Sequence, residues 1–169
     1  ILNDHNKDSS LVSVLIPARN EEFNIKRCIY SLVDQSYKNL EIIVLDDDSS
    51  DQTFEIVNEL SHKFQSVSVV KGEKKSKGWT GKNWACYQLS NFAKGDFLLF
   101  IDADTKLQKN TIAESISEMN NKDIDLISLF PNRITKTAVD KVISVTIGWF
   151  IFSCLPIIFS NKNLSLIHI

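Results

Sequence analysis

Short runs of apolar residues alternate with apolar stripes at helical spacing along most of the chain. Leu11 to Ile16 is a β-rich run with a turn signal at Pro17. Ile25, Cys28, Ile29, Leu32 and Val33 then fall at i, i+3, i+4, i+7 and i+8, which is one face of a helix. Leu40 to Leu45 reads as a second strand and ends in the acidic cluster Asp46-Asp47-Asp48-Ser49-Ser50-Asp51. Ile56, Val57, Leu60 and Phe64 mark a second helix, with Ser50 or Asp51 as its cap. Val67 to Val70 makes a short third strand. A lysine- and glycine-rich loop, Lys71 to Gly81, leads into a helix from Asn83 to Phe92, which Gly95 is placed to end. Phe97 to Ile101 is a fourth strand, Ile112, Ala113, Ile116 and Met119 form another helical stripe behind Asn110 as cap, and Ile124 to Phe130 is a fifth strand stopped by Pro131.

Strict alternation of apolar strands and amphipathic helices predicts an α/β fold: a mostly parallel sheet covered by helices on both faces. Ligands of such sheets bind beyond the carboxyl ends of the strands, near a switch in strand order. That rule places Pro17 to Asn20, Asp46 to Asp48, and Asp102 to Asp104 on one rim.

The stretch Phe100-Ile101-Asp102-Ala103-Asp104-Thr105 carries the strongest chemical signal. Two carboxylates one residue apart, where a buried strand breaks into a loop, form a seat for a divalent cation that carries phosphate oxygens. The first strand is followed by Pro-Ala-Arg-Asn-Glu-Glu, with no glycine to let backbone amides wrap a pyrophosphate, so this is not a dinucleotide or P-loop site. Phosphate charge must be met by the cation and by side chains. Lys82, at the start of a helix, can supply a positive group; its alternative is a solvated helix-start lysine. Asp46, nearest its strand, is the ligand-facing member of the second cluster, and Asp48 and Asp51 read as turn or cap residues. Trp79 and Trp84 either shape the donor pocket or pack in the core.

Composition narrows the class. With 19 Lys and Arg against 21 Asp and Glu, the net charge is −2, which argues against a nucleic-acid surface. Cys28, Cys86 and Cys154 are odd in number and lack C-x-x-C spacing, so they read as thiols of a reducing compartment. His5, His62 and His168 form no metal-ligand spacing. The chain begins at Ile1 and ends in Ser-Leu-Ile-His-Ile, which reads as cut at both ends.

Four strings in order, VSVLIPARNEE, EIIVLDDDSSDQT, GKNWACYQL and GDFLLFIDADT, resemble the inverting glycosyltransferases of family 2. The resemblance implies the nucleotide-sugar-binding, Rossmann-like fold called GT-A. It implies a nucleotide-diphosphate sugar donor and a divalent cation, Mg²⁺ or Mn²⁺. Pro17, Ala18 and Arg19 match the loop that cradles the base, with a guanidinium where many members have an aromatic ring. Asp46 matches the carboxylate that accepts a uracil N–H, which favours UDP. Lys82 matches a basic position near the diphosphate, Asp102 the residue near ribose and metal, and Asp104 the direct metal ligand. Asn20, Glu21, Asp47 and Ala103 complete the nucleotide-sugar-binding set. GWTGKNWAC and the tract GWFIFSCLPIIF are similar to bacterial membrane-associated members that glycosylate lipids such as carotenoid acids or hopanoids. This implies a lipid acceptor, and a protein at the cytoplasmic face of a membrane or in the cytoplasm.

Inversion also needs a general base for the acceptor hydroxyl. The family's later acceptor-side aspartate and its Q-x-x-R-W segment have no match. Of the later carboxylates, Glu114 and Glu118 fall on a surface helix, and Asp123, Asp125 and Asp140 stand in no recognisable motif. The expected organisation is an extension at 1–10, a donor-binding domain at 11–135, and the start of a truncated acceptor-side or membrane-associated segment at 136–169. Val142 to Ser160 carries no charge, and reads as an interfacial helix, a transmembrane segment, or a core helix whose cover is missing. Two rival functions remain open. One is a non-catalytic nucleotide-binding fragment. The other is a phosphatase of the haloacid-dehalogenase type using Ile101-Asp102-Ala103-Asp104-Thr105, which would require that motif on the first strand.

Overall fold

The computed structural model describes residues 10–130, 137–154 and 165–168. The expected extension, the stop at Pro131 and the end of the uncharged tract beyond Cys154 lie outside them. The chain divides into two compact units, Ile1–Ala113 and Glu114–Ile169.

In the first unit, β1 (Val12–Ala18), β2 (Leu40–Asp46), β3 (Val67–Lys71) and β4 (Phe97–Phe100) form one parallel sheet in the order β3-β2-β1-β4. The helices between them are α1 (Ile25–Val33), α2 (Thr53–Lys63) and α3 (Gly81–Phe92). The chain steps outward from β1 to β3, then crosses back over β1 to reach β4. Right-handed crossovers therefore put α1 and α2 on one face and α3 on the other. The contacts agree: α1 packs on α2, whereas α3 packs on β1 and β2.

Strand periodicity divides the core between those faces. Leu15, Ile43 and Leu45 point toward α3 and pack on its Ala85 and Leu89. Their neighbours Val14, Ile16, Ile42 and Val44 are equally buried and point the other way. There α1 buries Ile25, Cys28, Ile29 and Leu32, the stripe expected from the sequence. Burying a Leu or Ile side chain is worth about 1.5–3 kcal/mol, so β1 and β2 together carry much of the stability.

The starts of α3 and of the fifth strand differ from the sequence reading. α3 begins at Gly81 rather than Asn83. The fifth strand, β5 (Ile127–Phe130), starts three residues later than expected. It belongs to the second unit, where it pairs in parallel with β6 (Ser165–His168) in a separate two-stranded sheet. The cause is the end of α4 (Thr111–Lys122). Asp123 adopts a left-handed φ of 51°, and Ile124 N–H closes back on Met119 O, which uses these residues to leave the helix. Between the two strands runs α5 (Ala138–Cys154), whose start is fixed reciprocally: Thr137 N–H donates to the Asp140 carboxylate and Asp140 N–H to Thr137 Oγ1.

Gly95 has a different role from the helix stop expected of it. α3 ends at Phe92, and Gly95 lies against the amino end of β1, donating to Ser13 Oγ at 2.8 Å. A Cβ here would stand 2.6 Å from Ser13 N and 2.7 Å from Leu11 O, both rigid backbone atoms. Gly95→Ala should therefore destabilise the first unit by about 1–3 kcal/mol, the usual cost of overpacking. Urea unfolding followed by far-UV circular dichroism measures this, and an unchanged midpoint would show that β1 can yield.

Candidate active site

The parallel register brings the carboxyl ends of the strands level: Ala18 pairs with Asp46, and Asp46 with Lys71. The loops beyond β1 and β2 are then tied to each other. Asn20, at φ 56°, donates its N–H to Ser49 Oγ and accepts from Ser50 N–H through Oδ1 at 2.8 Å. Glu21 N–H donates to Thr53 Oγ1 at 2.8 Å. Glu22 N–H donates to Asp51 Oδ2, and Gln52 N–H donates back to Glu22 Oε2. Asp51 Oδ1 also accepts from Thr53 N–H at 3.0 Å, although the residue at the N-cap of α2 is Gln52 rather than the expected Ser50 or Asp51. Asn20 and Glu21, assigned to the nucleotide-sugar set by resemblance, thus sit in the framework that holds the rim.

Asp46 is only 7% exposed, and its Oδ1 has no hydrogen-bond partner among the described residues. An unpaired buried oxygen of this kind costs about 1–3 kcal/mol. It lines a cleft of about 190 Å³ together with Asp48, Ser49, Asp51, Phe54 and Lys71. Lys71 Nζ lies 4.4 Å from the centre of the Phe54 ring. Sequence reasoning missed Phe54 and Lys71; the place of Lys71 at a strand end was the available signal.

The D-x-D loop is held by its main chain and its middle residue. Ala103 is buried, whereas Asp102 and Asp104 are exposed on either side of it. Ile101 N–H donates to Leu15 O, and Thr105 N–H to Asp102 O. From α1, Cys28 Sγ approaches Asp102 O at 3.8 Å, and Arg27 Nη2 donates to Asp104 O at 3.2 Å. Downstream, the fully buried Gln35 donates to Gln108 O and accepts from Ile112 N–H. None of these bonds uses a carboxylate of Asp102 or Asp104.

Charge pairs cross the gap between the rim loops. Lys82 Nζ is 2.6 Å from Asp102 Oδ1, and Arg19 Nη1 is 3.9 Å from Asp47 Oδ2. The hydrogen bond to Asp102 raises the Lys82 pKa further, so the ammonium stays charged well beyond neutrality. Gly81 lies beside Asp47, where an added Cβ would stand 3.5 Å from its Oδ2. The amino end of α3 therefore gathers Asp47, Lys82 and Asp102. Pro17 and Ala18 stand at the end of β1, opposite Leu45 and Asp46.

No cluster of three or more His, Cys, Asp or Glu able to hold a metal occurs among the described residues. Two exposed carboxylates in a loop fit a hard cation that takes its remaining oxygens from a ligand. The later acidic residues supply no base in a recognisable setting. Asp140 caps α5, Glu118 pairs with Lys122, and Asp123 and Asp125 are exposed.

The fold is GT-A, and solved structures of glycosyltransferases share it. The structure of TarS residues 1–349 from S. aureus in complex with UDP-GlcNAc superposes with a TM-score of 0.57 at 30% identity. The match covers 76% of this chain and 37% of that one. Glucosyl-3-phosphoglycerate synthase from Mycobacterium tuberculosis, solved with Mn²⁺, UDP and glucosyl-3-phosphoglycerate, gives 0.59 at 28% identity over 73% of this chain and 45% of that one. The 4,4'-diaponeurosporenoate glycosyltransferase of Staphylococcus haemolyticus is 40% identical over 105 residues, 62% of this chain and 27% of that protein. Glycosyl transferase family 2 matches residues 13–151, and the chain belongs to that family. It spans about a quarter of the length of the Staphylococcus haemolyticus relative. The phosphatase reading fails, because Asp102 and Asp104 follow β4 at the sheet edge rather than the first strand.

Burial raises the Cys28 thiol from 9.0 to about 12, with Asp104 and Asp102 adding to the effect and Arg27 opposing it. The folded state thus favours the neutral thiol. Its contribution to stability is full below about pH 9 and is lost as pH rises toward 12. Alkylation requires thiolate and access. In a Cys154→Ser chain, iodoacetamide near pH 8 should modify the half-buried Cys86 and spare Cys28 until urea is added. Equal labelling rates in the native chain would mean that α1 opens readily.

Proposed function

We propose that this chain is the donor-binding half of an inverting glycosyltransferase that uses a nucleotide-diphosphate sugar, most naturally a UDP-sugar, and an acceptor of lipid character. The observation that carries the reading is the buried, partnerless Asp46 oxygen, on the same rim as the paired Lys82 and Asp102 and the exposed Asp104. In this reading Asp46 accepts the imide N–H of the base, and the Pro17-Ala18-Arg19 loop with Asp47 lies along the nucleoside. Lys82 faces the diphosphate. Asp104, with Asp102, holds a divalent cation, which supplies charge neutralisation on the leaving nucleotide when bound. The Mn²⁺ and UDP of the glucosyl-3-phosphoglycerate synthase complex support the choice of ligands.

The lipid and membrane part of the proposal rests on the second unit and on one relative's name. α5 exposes Val139, Val142, Val145 and Trp149 along its length, whereas solvent-facing helices carry polar residues there. No helix among the described residues is long and apolar enough to cross a membrane, so the interfacial form of contact is the one we propose. The diaponeurosporenoate named for the Staphylococcus relative is consistent with an acceptor met at the cytoplasmic face of a bilayer.

Calorimetric titration of UDP with and without Mn²⁺ tests the donor site. Asp104→Ala should abolish the metal-dependent gain, worth about ten- to a hundredfold in affinity for a charge-assisted contact. Equal affinity in all three conditions would sink the metal role. Asp46→Asn should weaken UDP more than it weakens pyrophosphate, since only UDP carries the base.

With no base assigned among the described residues, the chain should hydrolyse donor slowly and transfer little sugar. General-base catalysis contributes about 10²–10⁴-fold, and acceptor orientation adds to that. A radiolabelled UDP-sugar assay against lipid extract, beside a chain extended to the relatives' length, reads the difference. Similar rates from both would contradict a donor-binding half and return attention to Asp123 and Asp125.

A further inference from the structure

The outward side of α3 does not look like a solvent face. Its inward side buries Ala85, Gln88 and Leu89, as an amphipathic helix should. Its outward side carries Trp84 and Tyr87 one turn apart, their rings stacked with centroids 5.6 Å apart. Trp79 folds over from the preceding loop to complete the cluster, 5.5 Å from Trp84 and 5.1 Å from Tyr87. The cluster is open to solvent, with Tyr87 47% and Trp79 39% exposed. The Trp84 indole N–H donates to Glu73 O, and Lys75 Nζ donates to Trp79 O, so the aromatic cluster and the loop are one structure.

That loop is basic. Between Lys71 and Lys82 stand Lys74, Lys75 and Lys77, against the single carboxylate of Glu73, in a chain whose net charge is −2. Lys74, Lys75 and Lys77 are exposed, and none is in an ion pair among the described residues. Gly78, at φ 90°, turns the chain between Lys77 and Trp79. Amphipathic aromatic rings next to exposed lysines outside any ion pair match the headgroup layer of an anionic bilayer: indole and phenol rings settle at its boundary, and lysines meet lipid phosphate. A nucleic acid would need a longer basic track, and this patch is short and half apolar.

We infer that the loop of Lys74, Lys75 and Lys77 with the Trp79–Trp84–Tyr87 cluster is a docking surface for an anionic lipid membrane. The inference rests on the lipid-facing function proposed above, and adds the surface in the first unit that meets the bilayer. Its placement gives it a purpose. Lys71 at one end of the loop lines the Asp46 cleft, and Lys82 at the other pairs with Asp102, so docking would set the donor rim at the level of the headgroups.

The test uses the full chain and vesicles of phosphatidylcholine with or without phosphatidylglycerol. The triple variant Lys74→Gln, Lys75→Gln, Lys77→Gln should partition onto anionic vesicles roughly 100-fold less, at about 1 kcal/mol per lysine, and be unchanged on neutral ones. A second readout avoids substitutions in the loop. In a Trp149→Phe chain only Trp79 and Trp84 fluoresce, since the sequence holds three tryptophans. Vesicles brominated in the acyl chains should quench them. Binding by the triple variant equal to that of the parent, or unquenched emission from bound Trp149→Phe chain, would overturn the proposal and leave α5 as the contact. UDP titration of the same samples keeps this result separate from the donor site, because the three lysines belong to neither the cleft nor the aspartate pair.

Discussion

Parallel pairing of β1 with both β2 and β4 is the constraint on which the site depends. Parallel strands align their carboxyl ends, and each connection must return across the sheet before the next strand begins. Three separate chemistries, an unpaired buried carboxylate, a lysine at a helix start, and a pair of exposed aspartates, therefore emerge on one rim although the sequence spreads them over Asp46 to Asp104. The strand order reverses at β1, between β2 and β4, the position at which sheets of this kind bind ligands. Gly95 matters for the same reason: it lets the approach to β4 lie directly against the start of β1.

Around that rim, rigidity comes from side chains and ligand capacity is left with others. Asn20, Glu22, Asp51 and Thr53 bind one another across the first two loops, each bond satisfying a backbone donor that would otherwise face solvent. Exposed ion pairs such as that of Lys82 and Asp102 contribute little to stability in water. What the pair does is hold charges of both signs 2.6 Å apart at the amino end of α3.

Much of this was legible in the sequence for physical reasons. Apolar runs such as Leu40 to Leu45 read as buried strands, and the pair Asp102 and Asp104, a weak signal alone, gains its weight from following such runs in order. The stripe through Ile25, Cys28, Ile29 and Leu32 located α1 and its buried face. What stayed hidden depends on partners far away in the chain. Nothing local to Gly95 announces the backbone of Ser13, and nothing near Arg27 announces the carbonyl of Asp104. The pairing of β5 with β6 was equally invisible, since a four-residue strand does not specify its neighbour. The turn at Asp123 that delays β5 hangs on a single left-handed residue, which asparagine or glycine would have signalled more plainly.

The loop bearing Asp102 and Asp104 is anchored through carbonyl oxygens and the methyl group of Ala103, with help from Arg27, Cys28 and Gln35. Architecture and reactivity are thereby assigned to different atoms of the same five residues. A change of side chain at Asp104, or at Asp102 apart from its exposed pair with Lys82, leaves in place the main-chain bonds that shape the loop. Such a segment is open to selection in a way that most of the molecule is not: its chemistry can drift, be lost, or be regained while the scaffold beneath it stays folded.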